Sequence, residues 1–371
     1  IADELDTFER PAAGTPEAVT SKDIMLIYFT SGTTGHPKPV MHNYAHPLGH
    51  ILTAKYWQQV RENCLYMSVT DSGWAKFGWG KIYGQWICGA TVFCYDMVGR
   101  FNPRNLLQKV QDYKVTTFCV PPTMYRFMLQ EDLSKYDLSC LHHCATAGEP
   151  LNPEVVRKWK QLTGHQIYEG FGQTETPLTI ANLVNSTPKS GSMGKAVPLY
   201  DLRILRDDGT ECDDGETGEI CIRTADGVPF GLFIGYYLDE EKTRDVWHDG
   251  YYHTGDTAWR DEDGYFWYVS RIDDVIKSSG YRIGPFEIES VIMELPYVVE
   301  CGVSAVPDEV RGQVVKASIV LTKGTEGTEE LKKEIQNYVK EHTAPYKYPR
   351  VVVFKDSLPK TTSGKIQRNK L

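Results

Sequence analysis

Residues 21–180 alternate short β-rich runs with helical patterns, and this alternation strongly limits the folds open to the chain. Apolar runs at residues 25–29, 115–120 and 166–168 predict buried strands. Helical patterns lie between them at residues 50–58, 105–113, 123–130 and 153–162. Alternation of this kind predicts an α/β fold with a mostly parallel sheet covered by helices.

The pattern changes after residue 190. Four Asp-Gly pairs separate short apolar runs, which is typical of hairpins: Asp208-Gly209, Asp214-Gly215, Asp249-Gly250 and Asp263-Gly264. We therefore expect a β-rich subdomain at about residues 191–272. From residue 273 onward, helical patterns at 285–295 and 329–342 mix with strand patterns at 298–307, 315–321 and 351–354. We predict a large domain at residues 1–272 and a smaller α+β domain at residues 273–371.

The composition is that of an ordinary soluble globular protein. The chain has 371 residues, 41% hydrophobic and 24% charged, and this length favours two or more domains. A formal net charge of -9 argues against a general nucleic-acid-binding surface. The nine cysteines are scattered without a C-x-x-C pair, which favours a reducing compartment over a disulfide framework. The spacing of Cys140, His142, His143 and Cys144 matches no usual zinc pattern, so we interpret this group as the core of a strand.

No apolar run approaches the length of a membrane span, and no signal peptide is visible after Ile1. We expect a cytoplasmic protein, or one of the mitochondrial matrix if its source is a eukaryote. The expected partners are small molecules, with the oligomeric state left open.

The stretch YFTSGTTGHPKPV, residues 28–40, places a loop of small residues directly after an apolar run. Glycines let backbone N–H groups approach an anion, hydroxyls donate further hydrogen bonds, and Lys38 adds positive charge. The loop therefore indicates phosphate binding, with a surface loop that binds nothing as the alternative. Gly32 and Gly35 are too close for the P-loop motif G-x-x-x-x-G-K-[ST], and no G-x-G-x-x-G occurs here.

Six segments resemble, in order, motifs of the adenylate-forming superfamily of acyl-CoA synthetases, peptide-synthetase adenylation domains and luciferases. They are TSGTTGHPK (30–38), AGEP (147–150), YEGFGQTE (168–175), YHTGD (252–256), SRIDDVIK (270–277) and PKTTSGK (359–365). DSGWAK (71–76) and the segment 79–86 look most like the medium-chain acyl-CoA synthetase branch. The resemblance covers nearly the whole chain.

The resemblance implies a two-step ligation. A carboxylic acid attacks the α-phosphate of ATP to give an acyl-adenylate and pyrophosphate, and coenzyme A (CoA) then displaces AMP. In such a reaction the protein positions the reactants and stabilises the charge that develops in the transition state.

The resemblance also assigns residues. Lys365 and Thr174 act in catalysis with Glu175, which also binds Mg²⁺, as suits a hard cation. The ATP and AMP site comprises Thr30, Ser31, Gly32, Thr33, Thr34, Gly35, Lys38, Gly148, Glu149, Pro150, Glu169, Gly170, Phe171, Gly172, Gln173, Thr174, Asp256, Arg271 and Arg282. Asp256 suits a ribose diol, since one carboxylate accepts two hydrogen bonds. The acyl pocket is expected at Trp74, Gly148 and Gly170, and the CoA contacts at Ser279, Gly280, Tyr281 and Arg311. Asp273 is the expected hinge.

The chain departs from the family pattern at Pro39 and Ser270, where glycine is usual, and neither change removes a charge. The family's N-terminal part is largely missing before the loop, and the usual C-terminal end is clipped after Lys365. An acetyl-, propionyl- or aryl-CoA ligase, an adenylation module that loads a carrier protein, and an inactive nucleotide-binding fragment remain as alternatives.

Overall fold

The computed structural model describes residues 19–30, 37–70, 72–96, 101–361 and 365–371. The strands in these ranges are β1 (Ile24–Thr30), β2 (Lys38–Asn43), β3 (Leu65–Ser68), β4 (Thr91–Phe93), β5 (Thr117–Cys119), β6 (His143–Ala147), β7 (Ile167–Gly172), β8 (Leu178–Ala181), β9 (Gly194–Ala196), β10 (Leu202–Leu205), β11 (Gly218–Arg223), β12 (Gly235–Tyr236), β13 (Trp247–His248), β14 (Tyr251–Arg260), β15 (Tyr265–Arg271), β16 (Ile276–Ser278), β17 (Tyr281–Ile283), β18 (Val298–Asp308), β19 (Gly312–Leu321) and β20 (Val351–Phe354).

The α-helices in the same ranges are α1 (His46–Leu52), α2 (Ala75–Lys81), α3 (Tyr83–Ile87), α4 (Pro103–Asp112), α5 (Pro122–Met128), α6 (Pro153–Thr163), α7 (Glu240–Val246), α8 (Pro285–Ile292) and α9 (Glu329–His342). A π-helix, Thr53–Trp57, continues α1. Short 3₁₀ turns lie at Leu133–Lys135, Ile272–Asp274, Pro345–Lys347 and Arg368–Lys370. Each of these described helices is too short or too polar to span a bilayer.

The large sheet has the order β10-β11-β14-β15-β9-β8-β7-β6-β5-β3-β4, with β13 beside β14. Its β4-β3-β5-β6-β7 part is parallel, and the remaining neighbours pair antiparallel. The predicted parallel sheet is therefore present, and the Asp-Gly segment extends the same sheet with hairpins. His143 and Cys144 are buried in β6, as expected for a strand core, whereas Cys140 and His142 precede the strand and His142 is exposed.

Residues 25–29 form a strand as predicted, but the prediction that this strand is buried is wrong. β1 pairs antiparallel with β2, and β2 pairs with β12 in a separate three-stranded sheet. Phe29 is 69% exposed, and no residue of β1 is fully buried. The apolar run was mistaken for core because its partner β12 lies far away in sequence, and local pattern alone cannot identify such a partner.

Helix α6 shows how local sequence fixes an element of this fold. The Asn152 side chain accepts a hydrogen bond from the Glu154 backbone N–H at 2.8 Å, and Pro153 occupies the first turn. Gly164 ends the helix at φ +78°, a conformation that favours glycine. Trp159 is buried in the core on one face of the sheet. The helical pattern at residues 153–162 predicted this helix to within one residue at each end.

The predicted helix at residues 50–58 begins earlier than expected. The α-helix starts at His46, with a proline in its first turn, and only its π-helical continuation reaches Trp57.

The carboxyl ends of β6 and β7 lead directly into the segments 148–150 and 173–175, which the sequence marked for function.

The C-terminal part forms its own sheet, β17-β16-β19-β18, with β20 parallel to β19. Helices α8 and α9 cover it over a core that includes Ile288, Val303, Ile319 and Ile335. The predicted α+β character of this part is present. The boundary at residues 272–273 stays a prediction, and it falls within the Ile272–Asp274 turn.

Candidate active site

A cleft of about 2520 Å³ lies where β6 and β7 end and where the C-terminal residues meet the large sheet. Residues 148–150 and 169–175 line this cleft together with Lys277, Arg282 and Lys365. Ligands of α/β sheets commonly bind outside the carboxyl ends of parallel strands. The cleft is therefore in a position where the fold favours a binding site.

Strands β1 and β2 flank the predicted phosphate loop in sequence, and their adjoining ends line this cleft. Thr30 and Lys38 are paired across the hairpin, and both line the cleft. Burial lowers the pKa of Lys38, while the negative charge of Glu175 acts in the opposite direction. The other predicted loop residues lie outside the described residues: Ser31, Gly32, Thr33, Thr34 and Gly35.

Gln173 organises the wall of the cleft through both ends of its side-chain amide. Its Nε2 group donates to the carboxylate of Asp256 and, at 2.8 Å, to the backbone oxygen of Thr254. Its Oε1 atom accepts a hydrogen bond from the Tyr252 hydroxyl at 2.7 Å. Two segments of the predicted nucleotide site, residues 168–175 and 252–256, are thus joined by one side chain.

Asp256 is a buried carboxylate with two further neighbours. The Tyr268 hydroxyl donates to its Oδ1 atom at 3.3 Å, and Nη1 of Arg271 lies 3.4 Å from its Oδ2 atom. Asp256 and Arg271 are cross-strand partners in β14 and β15, so the sheet register brings them together. Burial raises the pKa of Asp256, and the positive charge of Arg271 opposes this shift.

Thr174 and Glu175 form the turn that follows β7. Glu175 is buried, and its Oε1 atom accepts a hydrogen bond from the Tyr236 hydroxyl at 2.9 Å. The Nζ atom of Lys38 lies over the Tyr236 ring, 5.5 Å from its centre. The Glu175 carboxylate, the Tyr236 hydroxyl and the Lys38 ammonium therefore lie close together. They lie beside the antiparallel pair of β1 and β2, which we call the phosphate-loop hairpin.

Gly148 and Gly170 leave room at the floor of the cleft. Gly148 has φ +101°, and a Cβ atom there would lie 3.4 Å from the Trp74 ring. A Cβ atom on Gly170 would lie 2.8 Å from Leu178 and 3.1 Å from Trp57. Close packing therefore requires glycine at position 170, and the positive φ favours glycine at position 148. The predicted acyl-pocket residues Trp74, Gly148 and Gly170 all line the cleft.

Two glutamates stand at the same floor. Glu149 accepts a hydrogen bond from the Thr123 hydroxyl at 2.7 Å, while Glu169 accepts one from the Leu151 backbone N–H at 3.2 Å. Burial raises the pKa of Glu169 to about 8, so this carboxyl group is largely protonated at neutral pH. The remaining predicted residues of these segments also line the cleft: Pro150, Phe171 and Gly172.

The C-terminal tail brings Lys365 to the cleft. Lys365 lines the main cleft and also a smaller cavity that it shares with Trp74 and Thr174. The tail is held by Arg368, whose Nη2 atom lies 2.7 Å from Glu289 and whose Nη1 atom lies 3.2 Å from Asp274. The predicted hinge residue Asp273 adjoins this ion-pair network and lines the cleft.

The predicted CoA contacts are not part of the cleft. Ser279 and Gly280 form the turn between β16 and β17, and the Ser279 hydroxyl accepts from Arg311 Nη1 at 3.3 Å. The Tyr281 ring stacks on Tyr346 with centres 4.0 Å apart. None of Ser279, Gly280, Tyr281 and Arg311 is among the described residues that line the cleft.

Arg282, a predicted nucleotide contact, lines the outer part of the cleft. Its exposed guanidinium pairs with Asp207, with Nη2 and Oδ2 2.6 Å apart. Arg282 therefore lines the cleft but pairs with Asp207 rather than with Asp256 or Glu175.

Sequence reasoning missed several residues that shape the site. The His42 ring nitrogen Nε2 lies 2.8 Å from the backbone oxygen of Thr174, and Tyr236 holds Glu175. His42 shares the inward face of β2 with Val40, so strand alternation was a usable signal for it. No local signal marked Tyr236 or Arg368, because their partners are distant in sequence.

The fold has two parts, and its main cleft lies at the carboxyl ends of the parallel strands. The family model described as AMP-binding enzyme matches residues 2–237, and that of the AMP-binding enzyme C-terminal domain matches residues 287–365. The chain therefore belongs to the AMP-binding enzyme family, and the predicted membership of the adenylate-forming superfamily is confirmed.

Curated relatives are acyl-coenzyme A synthetases. The chain is 46% identical over 352 residues to mitochondrial acyl-coenzyme A synthetase ACSM3 of Mus musculus, covering 94% of this chain and 60% of that protein. It is 45% identical over 354 residues to mitochondrial ACSM4 of Homo sapiens, covering 95% and 61%. The chain thus spans about 60% of the length of these relatives. The predicted acyl-CoA synthetase branch is supported over an amino-acid-activating one.

Solved structures of similar fold include two CoA ligases. The anthranilate CoA ligase AuaEII in complex with anthranoyl-AMP has a TM-score of 0.85 at 33% identity, covering 94% of this chain and 66% of that one. A benzoate CoA ligase from Burkholderia xenovorans LB400 has a TM-score of 0.86 at 28% identity, covering 99% and 72%. These structures confirm the predicted fold class.

Proposed function

We propose that this protein is an AMP-forming acyl-CoA synthetase. It joins a short or medium-chain carboxylic acid to ATP, releases pyrophosphate, and transfers the acyl group from the adenylate to CoA. The observation that carries this proposal is the convergence of Lys38, Glu175, Asp256 and Lys365 on one cleft. These groups come from four separate segments, and each has a charge that the two-step reaction can use.

In the first step, an oxygen of the acid attacks the α-phosphorus and the bond to the β-phosphate oxygen breaks. Negative charge builds on the oxygens around phosphorus and on the departing pyrophosphate. Lys365 and Thr174 share a small cavity, which supports a role for the ammonium and hydroxyl groups in stabilising that charge. Lys38 and the loop that precedes it hold the outer phosphates.

The nucleoside end is assigned to Asp256 and Arg271. The Asp256 carboxylate accepts hydrogen bonds from both ribose hydroxyls, and Gln173 and Tyr268 hold it in place. Arg271 balances its charge at 3.4 Å and presents further donors to the ribose.

The residues present fit a magnesium ion. Glu175 offers a buried carboxylate next to the phosphate-loop hairpin, and Mg²⁺ usually binds one or two carboxylates together with substrate phosphates. Bound there, the ion supplies charge neutralisation for the phosphates. Tyr236 keeps the Glu175 carboxylate oriented through its 2.9 Å hydrogen bond.

In the second step, the CoA thiolate attacks the acyl carbon and AMP leaves. Ser279, Gly280, Tyr281 and Arg311 lie outside the cleft in the arrangement described above. The proposal therefore includes a rotation of the C-terminal part about Asp273 that exchanges Lys365 for these residues.

Pyrophosphate release from ATP tests the proposal. The full-length protein is assayed with Mg²⁺ against fatty, aryl and amino acids, with and without CoA. Release that depends on a carboxylic acid, followed by AMP and thioester formation with CoA, is expected. Activation of amino acids alone would favour a carrier-loading module, and nucleotide binding without any release would contradict the proposal.

The named relatives are mitochondrial, which supports a matrix location if the source is a eukaryote.

A further inference from the structure

Three side chains that can each ligate a metal ion meet on one face of the large sheet. They are Glu219 and Cys221 of β11 and His253 of β14. One ligand atom from each residue lies within 4.8 Å of the other two, and no other three His, Cys, Asp or Glu residues in the described part of the chain do this. The Nδ1 atom of His253 lies 2.9 Å from Oε2 of Glu219 and 3.4 Å from Sγ of Cys221.

The register of the sheet fixes this group. Glu219 and Cys221 are two residues apart on one strand, so their side chains share a face. Cys221 pairs with His253, whereas Glu219 pairs with Thr257, so residues 254–256 of β14 lie opposite Ile220 alone. The group is therefore held by backbone pairing and lies beside an irregular stretch of β14.

The separations are close to those of a tetrahedral Zn²⁺ site. Zinc bonds of about 2.3 Å to sulfur and about 2.1 Å to nitrogen and oxygen place nitrogen about 3.4 Å from oxygen and about 3.6 Å from sulfur. The separations in this structure are shorter by half an ångström or less. Thiolate and imidazole ligands favour zinc over magnesium.

The group opens toward the main cleft on one side only. Glu219 and His253 line that cleft, and Cys221 is completely buried beneath them. Three protein ligands leave the fourth position of a tetrahedral ion for water from the cleft.

The protons of such a site can be accounted for. The Nδ1–H group of His253 donates to the Glu219 carboxylate, and Nε2 of His253 is buried with no partner among the described residues. When an ion binds Nδ1, the imidazole keeps one proton on Nε2 instead. The Cys221 thiol becomes a thiolate, so one proton is released for each ion bound.

Glu219 also connects this group to the nucleotide site. Its Oε1 atom accepts a hydrogen bond from the Gly255 backbone N–H at 2.8 Å, and the next residue is Asp256, the ribose-binding carboxylate of the proposed function. An ion would move Glu219 and His253 about 0.5 Å apart. The Gly255–Asp256 backbone would follow Glu219.

We propose that Glu219, Cys221 and His253 form a Zn²⁺ site, separate from the Mg²⁺ position at Glu175, and that its occupation weakens ATP binding. The effect on ATP rests on the proposed function, whereas the ion site itself does not.

The first test measures metal binding by full-length wild type, Cys221→Ser and Cys212→Ser. Cys212 is a buried cysteine outside the group and serves as the matched control. Metal-free protein is titrated with Zn²⁺ against a chromophoric chelator, and then with Co²⁺ to detect the thiolate-to-cobalt charge-transfer band. Thermal melting checks that both variants remain folded.

Wild type and Cys212→Ser are expected to bind one Zn²⁺ ion at this site and to show the cobalt band. Loss of a group that only orients a ligand already weakens metal binding by about 10–100-fold, so Cys221→Ser should weaken it by at least about tenfold and lose the band. Equal zinc affinity in wild type and Cys221→Ser, or equal weakening in both variants, would overturn the inference.

The second test measures acid-dependent pyrophosphate release at saturating Mg²⁺, which prefers oxygen ligands and leaves the thiolate site to zinc. Added Zn²⁺ should raise the KM for ATP of wild type and Cys212→Ser with little change in kcat, and a chelator should reverse the effect. Cys221→Ser should resist it. An unchanged KM with zinc bound would overturn the proposed effect on ATP. Zinc binding with the cobalt band but no release with any acid would overturn the proposed function and leave the ion site standing.

Discussion

The Nε2 atom of His42 lies 2.8 Å from the backbone oxygen of Thr174. This hydrogen bond ties the phosphate-loop hairpin to the turn after β7, across 132 residues of sequence. His42 is completely buried, and burial lowers its pKa to about 3. The imidazole is therefore neutral at physiological pH, and its Nε2–H group can donate to the Thr174 carbonyl.

Replacing His42 by alanine should loosen this connection. The change removes a buried hydrogen bond and leaves the Thr174 oxygen without its donor, which typically costs about 1–3 kcal/mol of stability. We also expect a lower kcat for adenylate formation, since Thr174 would be less well positioned. Melting curves and pyrophosphate release measure the two effects, with His342→Ala at the exposed end of α9 as the control. A variant with unchanged stability and unchanged kcat would show that the contact has no role.

Arg368 is expected to hold Lys365 in the cleft. Its guanidinium lies 2.7 Å from Glu289 and 3.2 Å from Asp274, and Glu289 is buried. Arg368→Met would leave a buried carboxylate unpaired, at a cost of about 3–5 kcal/mol. The double variant with Glu289→Gln should recover much of the stability but not the rate of adenylate formation. Recovery of both the stability and the rate would mean that the Arg368–Glu289 pair stabilises the fold without positioning Lys365.

Lys365→Ala should separate the two half-reactions. Loss of the ammonium removes charge stabilisation at phosphorus, so adenylate formation should fall by about a hundredfold or more. Thioester formation from supplied acyl-adenylate and CoA should be nearly unchanged. Lys370→Ala, which alters an exposed lysine of the same tail, provides the control. Equal losses in both half-reactions would contradict the role assigned to Lys365.

Buried histidines predict a loss of stability in mild acid. Burial lowers the pKa of His143 to about 4 and that of His46 to about 4, from the ordinary value of 6.5. The unfolded chain therefore binds more protons than the folded one below pH 6.5, and stability falls as the pH decreases toward 4.

His143→Gln isolates one of these groups, because His143 was given no part in the reaction. Between pH 7.5 and 5.5, the free energy of unfolding of wild type should fall by about 1.4 kcal/mol more than that of the variant. Denaturant titrations at the two pH values measure this difference. Parallel pH profiles would mean that His143 is not held neutral in the folded protein.

Local sequence predicted the elements whose signals are local. The pattern at residues 153–162 located α6, which the cap at Asn152 and the stop at Gly164 delimit, and the alternation over residues 21–180 indicated the parallel sheet. These predictions succeeded because capping, turn formation and strand alternation depend on neighbouring residues. The resemblance to a known family supplied the rest of the candidate site.

Contacts between distant segments could not be read in the same way. The place of β1 in a separate sheet depends on β12, and the position of Arg368 depends on Glu289, 79 residues away. Lys76 of helix α2 is buried, with its ammonium over the rings of Trp74 and Trp79. A lysine in a helical pattern is ordinarily solvent-exposed, so its burial became visible only in three dimensions.

The central claim is that a carboxylate oxygen attacks the α-phosphorus of ATP in this cleft. An acid labelled with ¹⁸O in both carboxylate oxygens, turned over with ATP and CoA, tests it most directly, with mass spectrometry of the nucleotide product. The account predicts AMP that carries one ¹⁸O atom for each thioester formed. Unlabelled AMP, or ADP accompanied by labelled inorganic phosphate, would contradict it.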